Sequence, residues 1–151
     1  MTSAQQDTQT ATATTRLSAL RGNCMGAAVL LIIQFGLGTG VSLYVSLSVG
    51  KSFFASVFGS AALAAHVIVA LLLLGAAVSA LVRAIGARKA IVPTSVGLVA
   101  ILAAALAGAS FVGDQNDGAS LGMALATAVA MFCYCAEPPA AVPRAGTGPA
   151  P

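Results

Sequence analysis

The side chain in this chain best suited to chemistry is its single histidine, His66, which lies in the apolar run AALAAHVIVALLLL. A second polar residue, Gln34, interrupts another apolar run, LLIIQFGLGTGVSLYV. An imidazole in such a segment can ligate haem iron, or it can hydrogen-bond to a polar side chain of a neighbouring helix. A Gln34–His66 hydrogen bond and a haem ligand are therefore the two interpretations to distinguish.

A six-coordinate haem b would need a second axial ligand besides His66, and the chain has no other histidine. Met123, in the last apolar run, has suitable chemistry at a similar depth, and His66 of a second subunit is the alternative. The candidate cofactor site therefore consists of His66, Gln34 and Met123, with haem b as the cofactor.

Two carboxylates, Asp114 and Asp117, lie in the polar stretch GDQNDG between two apolar runs. Carboxylate and amide oxygens suit Ca²⁺ or Mg²⁺, so this pair is a candidate metal site. The same residue types form turns and cap helix ends, which favours a short turn between two helices as the structural interpretation. The cysteines, Cys24, Cys133 and Cys135, lack the spacing of a zinc site and are interpreted as small apolar residues.

The composition excludes an ordinary soluble domain. The chain has 151 residues, of which 58% are hydrophobic and 7% are charged, whereas soluble proteins carry about 25% charged residues. A lipid bilayer is the solvent that suits such a composition. The basic residues are scattered and have no stacking aromatics beside them, so nucleic acid is not an expected partner.

Four apolar segments are long enough to cross a membrane, which takes roughly 20 residues as a helix. They cover about residues 24–47, 58–82, 91–112 and 119–135. The fold class expected is all-α, a polytopic membrane four-helix bundle over residues 24–136. The Thr- and Gln-rich segment 1–23 and the Pro- and Gly-rich segment 137–151 are expected to be disordered tails.

The distribution of positive charge predicts the orientation of the bundle. One side of the four spans holds six basic residues, Arg16, Arg21, Arg83, Arg88, Lys89 and Arg144, and the other side holds Lys51 alone. Because cytoplasmic loops are enriched in Lys and Arg, both termini are expected in the cytoplasm, N-in and C-in. The expected location is a bacterial inner (plasma) membrane, with several passes.

Rows of small residues predict how the helices pack. Gly36 and Gly40 form one GxxxG pair, and Gly118 and Gly122 form another, while Ala100, Ala104 and Gly108 make a third row. Small residues let membrane helices approach closely. We expect a compact bundle, and a homo-oligomer or a larger membrane complex remains open.

The stretch QFGLGTGV followed by HVIVALLLL resembles the haem A synthase family, whose half-domains are four-helix bundles. The resemblance covers about 45 mostly apolar residues. It implies that Gln34, Leu37 and Gly38 match a Gln-x-x-Leu-Gly motif and that His66 matches a haem-ligating histidine. The chain departs from the family in having no partner histidine two helices earlier and no acidic catalytic residue in a first helix, which argues against haem A synthesis. The chain is also similar in general appearance to small integral membrane proteins of high-GC actinobacteria.

No nucleophile–base pair, phosphate loop or zinc motif occurs in the sequence, so the chain is not expected to be an enzyme. The function expected is structural or accessory, within the membrane. The first alternative is a b-type haem protein or a haem or respiratory-chain assembly protein that uses His66. The second is an oligomeric small-molecule or ion permeation subunit, in which Asp114 and Asp117 guide a cation.

Overall fold

The computed structural model describes residues 3–44, 53–114 and 117–136, and these residues form helices joined by short connections, with no strand among them. The helices are α1 (Ser3–Tyr44), α2 (Phe53–Gly59), α3 (Ala61–Ala87), α4 (Ile91–Asp114) and α5 (Asp117–Cys135). All but α2 are long and apolar enough to cross a membrane. The expectation of an all-helical protein with four candidate spans is therefore confirmed.

The candidate span in α4, Ile91–Val112, agrees with the predicted third segment at both ends. The predicted second segment differs, because its first residues belong to the separate short helix α2. The hydroxyl of Ser60 begins α3 by accepting a hydrogen bond from the backbone N–H of Leu63, at 3.4 Å. A glycine followed by a serine, Gly59 and Ser60, is the sequence signal for one helix ending and the next beginning.

Helix α1 begins at Ser3, so it includes most of the segment 1–23 that we expected to be disordered. The physical reason is composition: residues 3–21 contain neither glycine nor proline, the two residue types least favourable to a helix. The candidate span in this helix starts at Thr10. Residues 45–47 of the predicted first segment, and the predicted tail 137–151, lie outside the described residues.

The four long helices form a ring in which each packs against two others. Helix α1 contacts α3 and α5, and α4 contacts the same two helices, while α2 covers part of α3 and α4. Neighbours are antiparallel, because Leu20, early in α1, shares a buried cluster with Ala84 and Tyr134, late in α3 and α5. At the other end of the bundle, Val41 clusters with Leu63.

The inward-facing residues of α1 and α3 recur at alternating spacings of three and four. In α1 the row is Leu20, Cys24, Ala27, Leu31, Gln34, Gly38 and Val41, and in α3 it is Leu63, His66, Ala70, Leu73, Ala77, Ala80 and Ala84, all of them buried or half-buried. This spacing is typical of left-handed, coiled-coil-like packing between antiparallel helices. Gln34 and His66 therefore occupy positions in the two facing rows.

Large apolar side chains cover the outside of the bundle. Phe58 is 84% exposed, Phe132 74% and Val92 73%. An apolar surface that continues around a whole protein is unfavourable in water, whereas hydrocarbon solvates it. Together with the four spans, this surface indicates a multi-pass membrane protein.

The charged side chains divide between the two ends of the bundle. Five exposed basic residues lie at the end that contains Leu20 and Ala84, namely Arg16, Arg21, Arg83, Arg88 and Lys89. Exposed Asp117 begins α5 at the opposite end. Lys51 and Arg144 lie outside the described residues.

Candidate functional site

Gln34 and His66 form a hydrogen bond between α1 and α3, with 3.0 Å between the two Nε2 atoms. In this arrangement the amide NH₂ of Gln34 donates to the imidazole, so the ring proton resides on Nδ1. Both side chains are half-buried. The structure therefore shows the hydrogen bond that was one of the two interpretations of these polar interruptions.

Gly38, one turn after Gln34, provides the space for the imidazole. A Cβ atom built on Gly38 would lie 3.1 Å from Cε1 of His66 and 3.6 Å from Nδ1. Any side chain at position 38 would press against the ring. Gln34 thus holds one edge of the imidazole, while the backbone of α1 at Gly38 lies against another.

Two polar atoms of this site, Nδ1 of His66 and Oε1 of Gln34, are buried and have no hydrogen-bond partner within the described part of the chain. Turning the amide by 180° would let Oε1 accept from a protonated Nε2 and would leave Nδ1 as an unpaired acceptor. In both arrangements the two residues share one hydrogen bond and Nδ1 stays unpaired. The bond can hold α1 and α3 in register, which is a packing role.

The surroundings of His66 in this conformation do not fit an axial haem ligand. The Gln34 amide occupies the direction from Nε2 along which iron would bind, and Nδ1 carries the ring proton in this arrangement. An imidazole ligates iron only through a ring nitrogen whose lone pair is open to the metal. Iron at Nε2 would require Gln34 to move.

Met123, the candidate second ligand, packs between α4 and α5. A Cβ atom built on Gly108 of α4 would lie 3.3 Å from its sulfur. Helices α3 and α5 are at diagonal corners of the ring. The structure therefore brings together two members of the proposed cofactor site, Gln34 and His66, and places the third against a different helix.

The proposed cation site falls largely outside the described part of the structure. Asp114 ends α4 and Asp117 begins α5, so the helices take up much of the expected turn, while Gln115 and Asn116 are not described. Among the residues that the structure describes, no group of three or more His, Cys, Asp or Glu could hold a metal ion. Cation binding by the aspartates stays a prediction.

One buried residue with a polar group that was not identified from the sequence is Tyr134, which is 3% exposed. Its hydroxyl has no hydrogen-bond partner among the described residues, and its ring lies on Gly97 of α4, where a built Cβ atom would come within 2.7 Å of Cε2. The sequence signal for its burial is a row of residues in α5 at alternating spacings of four and three, which consists of Met123, Thr127, Ala130 and Tyr134.

The same kind of contact recurs at three places in the bundle. Each of three bulky side chains faces a glycine on the neighbouring helix: His66 faces Gly38, Tyr134 faces Gly97 and Met123 faces Gly108. By contrast, Cβ atoms built on Gly36 and Gly40 would meet nothing within 4 Å. Within the described residues, neither glycine of the expected GxxxG pair is in close contact with another helix, and Gly38 between them makes the contact.

The cysteines differ in their surroundings: Cys24 is buried, Cys133 is half-buried and Cys135 is exposed. Cys24 belongs to the buried cluster that contains Tyr134, which agrees with its interpretation as a small apolar residue.

Comparison of the chain with protein-family models, curated proteins and solved structures finds no match. The interpretation of the site therefore rests on the geometry given above.

Proposed function

We propose that this protein is a non-enzymatic structural or accessory component of a bacterial inner membrane, acting in a larger complex or as a homo-oligomer. The observation that carries the proposal is the set of contacts that His66 makes between α1 and α3. The histidine, which lies within the candidate span of α3, bonds to Gln34 and packs on Gly38, so its geometry serves helix packing. Polar groups that bond across membrane helices commonly have this role.

The proposed orientation places both termini in the cytoplasm. Its support is the collection of exposed Arg21, Arg83, Arg88 and Lys89 at one end of the bundle and Asp117 at the other. Positive residues next to membrane spans are retained on the cytoplasmic side. The end that carries the arginines is therefore the cytoplasmic end in this proposal.

Affinity purification in a mild detergent tests the accessory role. A full-length chain with a C-terminal tag, expressed at its natural level, should bring down a defined set of membrane proteins or additional copies of itself in fixed ratio. The matched control is the double variant Gln34→Leu/His66→Leu, which removes both polar partners together and should retain the same proteins. A wild-type chain that purifies alone as a monomer would contradict the proposal.

A b-type haem protein, or a haem or respiratory-chain assembly protein, is the second candidate. One observation favours it: Nδ1 of His66 is buried without a hydrogen-bond partner among the described residues, and with the Gln34 amide turned by 180° this nitrogen is an unprotonated acceptor that could bind a further ligand. This function would require α1 to withdraw from the imidazole at Gly38. An optical spectrum of the purified protein separates the two candidates.

A further inference from the structure

We propose that the five exposed basic residues at one end of the bundle bind the headgroups of anionic phospholipids. These residues, called the basic end below, are Arg16, Arg21, Arg83, Arg88 and Lys89. The proposal depends on insertion of the chain in a membrane, but it does not depend on the accessory role. It assigns a lipid partner to the basic end, the same residues that indicate which side of the membrane is cytoplasmic.

The basic residues of α1 and α3 reach the same level because the two helices are antiparallel and share a fixed point, the Gln34–His66 bond. Arg21 lies about 20 Å from Gln34 along α1, and Arg83 lies about 26 Å from His66 along α3, at 1.5 Å per residue. The shared cluster of Leu20 and Ala84 agrees with this register. Arg21 and Arg83 therefore lie at one end of the bundle, within about one helical turn of each other in height.

The height of this end corresponds to the headgroup region. The candidate span of α4, Ile91–Val112, has 22 residues, which corresponds to about 33 Å of helix and matches a hydrocarbon core of about 30 Å. Its first residue therefore lies at the edge of the hydrocarbon. Arg88 and Lys89, just before it, lie among the headgroups, and Arg83 reaches them by extending its side chain.

Among the described residues, the exposed charges at this end are basic and so complementary to a phosphodiester. Asp117, the acidic residue whose side chain the structure describes, is at the opposite end of the bundle. Asp7 lies about 14 Å beyond Arg16 along α1, further from the turn between α3 and α4. Clusters of Lys and Arg beside membrane spans attract anionic lipids.

Arg88 gives the most specific support. It ends α3 in a left-handed conformation, φ 53° and ψ 32°, which is a position that glycine usually takes because any Cβ atom is strained there. Its backbone N–H bonds to the carbonyls of Ala84 and Ile85, so the backbone ends the helix and the guanidinium takes no part. The guanidinium of Arg88 is exposed and is therefore left for contacts with the headgroups.

The test uses the full-length protein in nanodiscs of phosphatidylcholine that contain a minor fraction of phosphatidylglycerol. Native mass spectrometry or spin-labelled lipids measure how strongly the protein selects phosphatidylglycerol over phosphatidylcholine. Wild type should select phosphatidylglycerol, and Arg88→Gly should reduce the selectivity about fivefold, from the attraction of one basic residue to an anionic surface. Arg88→Lys keeps the charge and should retain the selectivity.

Arg88→Gly relieves the backbone, so it should unfold at the same temperature as wild type or higher. If Arg88→Gly folds poorly, Arg83→Gln removes one positive charge at an ordinary helical position and should reduce the selectivity in the same way. Equal binding of the two lipids by wild type, or unchanged selectivity in the charge-removing variant, would overturn the proposal. Competition by inorganic phosphate at matched ionic strength would also overturn it, because it would assign the surface to a soluble anion.

Discussion

Gln34 and His66 meet across the interface of α1 and α3, with their Nε2 atoms 3.0 Å apart and the imidazole resting on Gly38. The two residues are the polar members of otherwise apolar packing rows at this level of the bundle. Each would be an unpaired polar group in hydrocarbon if the other were absent, so they stabilise the bundle only as a pair. This mutual dependence makes the pair measurable.

A double-mutant cycle measures the coupling directly. His66→Ala and Gln34→Ala should each destabilise the bundle, and the double variant should lose less than the sum, with a coupling energy of about 0.6–1.7 kcal/mol. Unfolding in mixed micelles, followed by circular dichroism, gives the free energies. Ser79→Ala, on the exposed side of α3, is the control partner and should be additive with His66→Ala. Additivity between positions 34 and 66 would refute the pairing.

Gly97→Ala should destabilise the protein by about 1–3 kcal/mol, as overpacking does in a tight interior. The new methyl group would come within 2.7 Å of the buried ring of Tyr134. Gly75→Ala is the matched control, because a Cβ atom there meets nothing within 4 Å, and it should be neutral or stabilising by up to about 1 kcal/mol. The midpoint of thermal unfolding measures the effect of each substitution. Equal shifts of the midpoint for the two substitutions would show that α4 and α5 do not pack as described here.

Tyr134→Phe should leave stability unchanged or raise it slightly. The hydroxyl is buried without a hydrogen-bond partner among the described residues, so removing it removes a desolvation cost and no bond. Tyr134→Ala should cost about 3–5 kcal/mol, the range for removal of a buried aromatic ring. A loss of more than about 1 kcal/mol in Tyr134→Phe would reveal a partner for the hydroxyl.

Cysteine labelling tests the orientation. In a background where Cys24, Cys133 and Cys135 are replaced by alanine, Asp117→Cys should react with a membrane-impermeant maleimide on intact spheroplasts, and Thr14→Cys should react only after lysis. Both positions are exposed, so burial does not explain the difference. Labelling of Thr14→Cys on intact spheroplasts would place the N-terminus outside.

Hydropathy alone predicted the four spans, because crossing a bilayer requires a long apolar helix whatever its neighbours are. The direct Gln34–His66 contact was harder to predict. Counting residues from the end of each predicted span placed the two side chains about 6 Å apart in depth. Such counts do not fix the register of two helices, since their ends lie at different heights; the facing rows of small and large residues fix it.

The glycines show what sequence spacing misses. The GxxxG pattern predicted a close helix contact at Gly36 and Gly40, but Cβ atoms built on both glycines would meet nothing within 4 Å in the described part of the chain. Gly38 makes the contact because it shares a row with Leu31, Gln34 and Val41, at spacings of three and four. Only the position of α3 decides which of two overlapping patterns faces inward. Helix α2 was not predicted for a different reason: its seven residues are too few to show a clear helical period.

The central claim is that His66 is a packing residue of a structural membrane protein, and an optical spectrum tests it most directly. The full-length chain would be expressed with added haem precursor, purified in detergent and measured oxidised and reduced. We predict no Soret band and no sharp reduced α and β bands, because the Gln34 amide occupies the Nε2 side of the ring and Nδ1 carries the ring proton. A stoichiometric Soret band that disappears in His66→Ala would contradict the account and establish the histidine as a haem ligand.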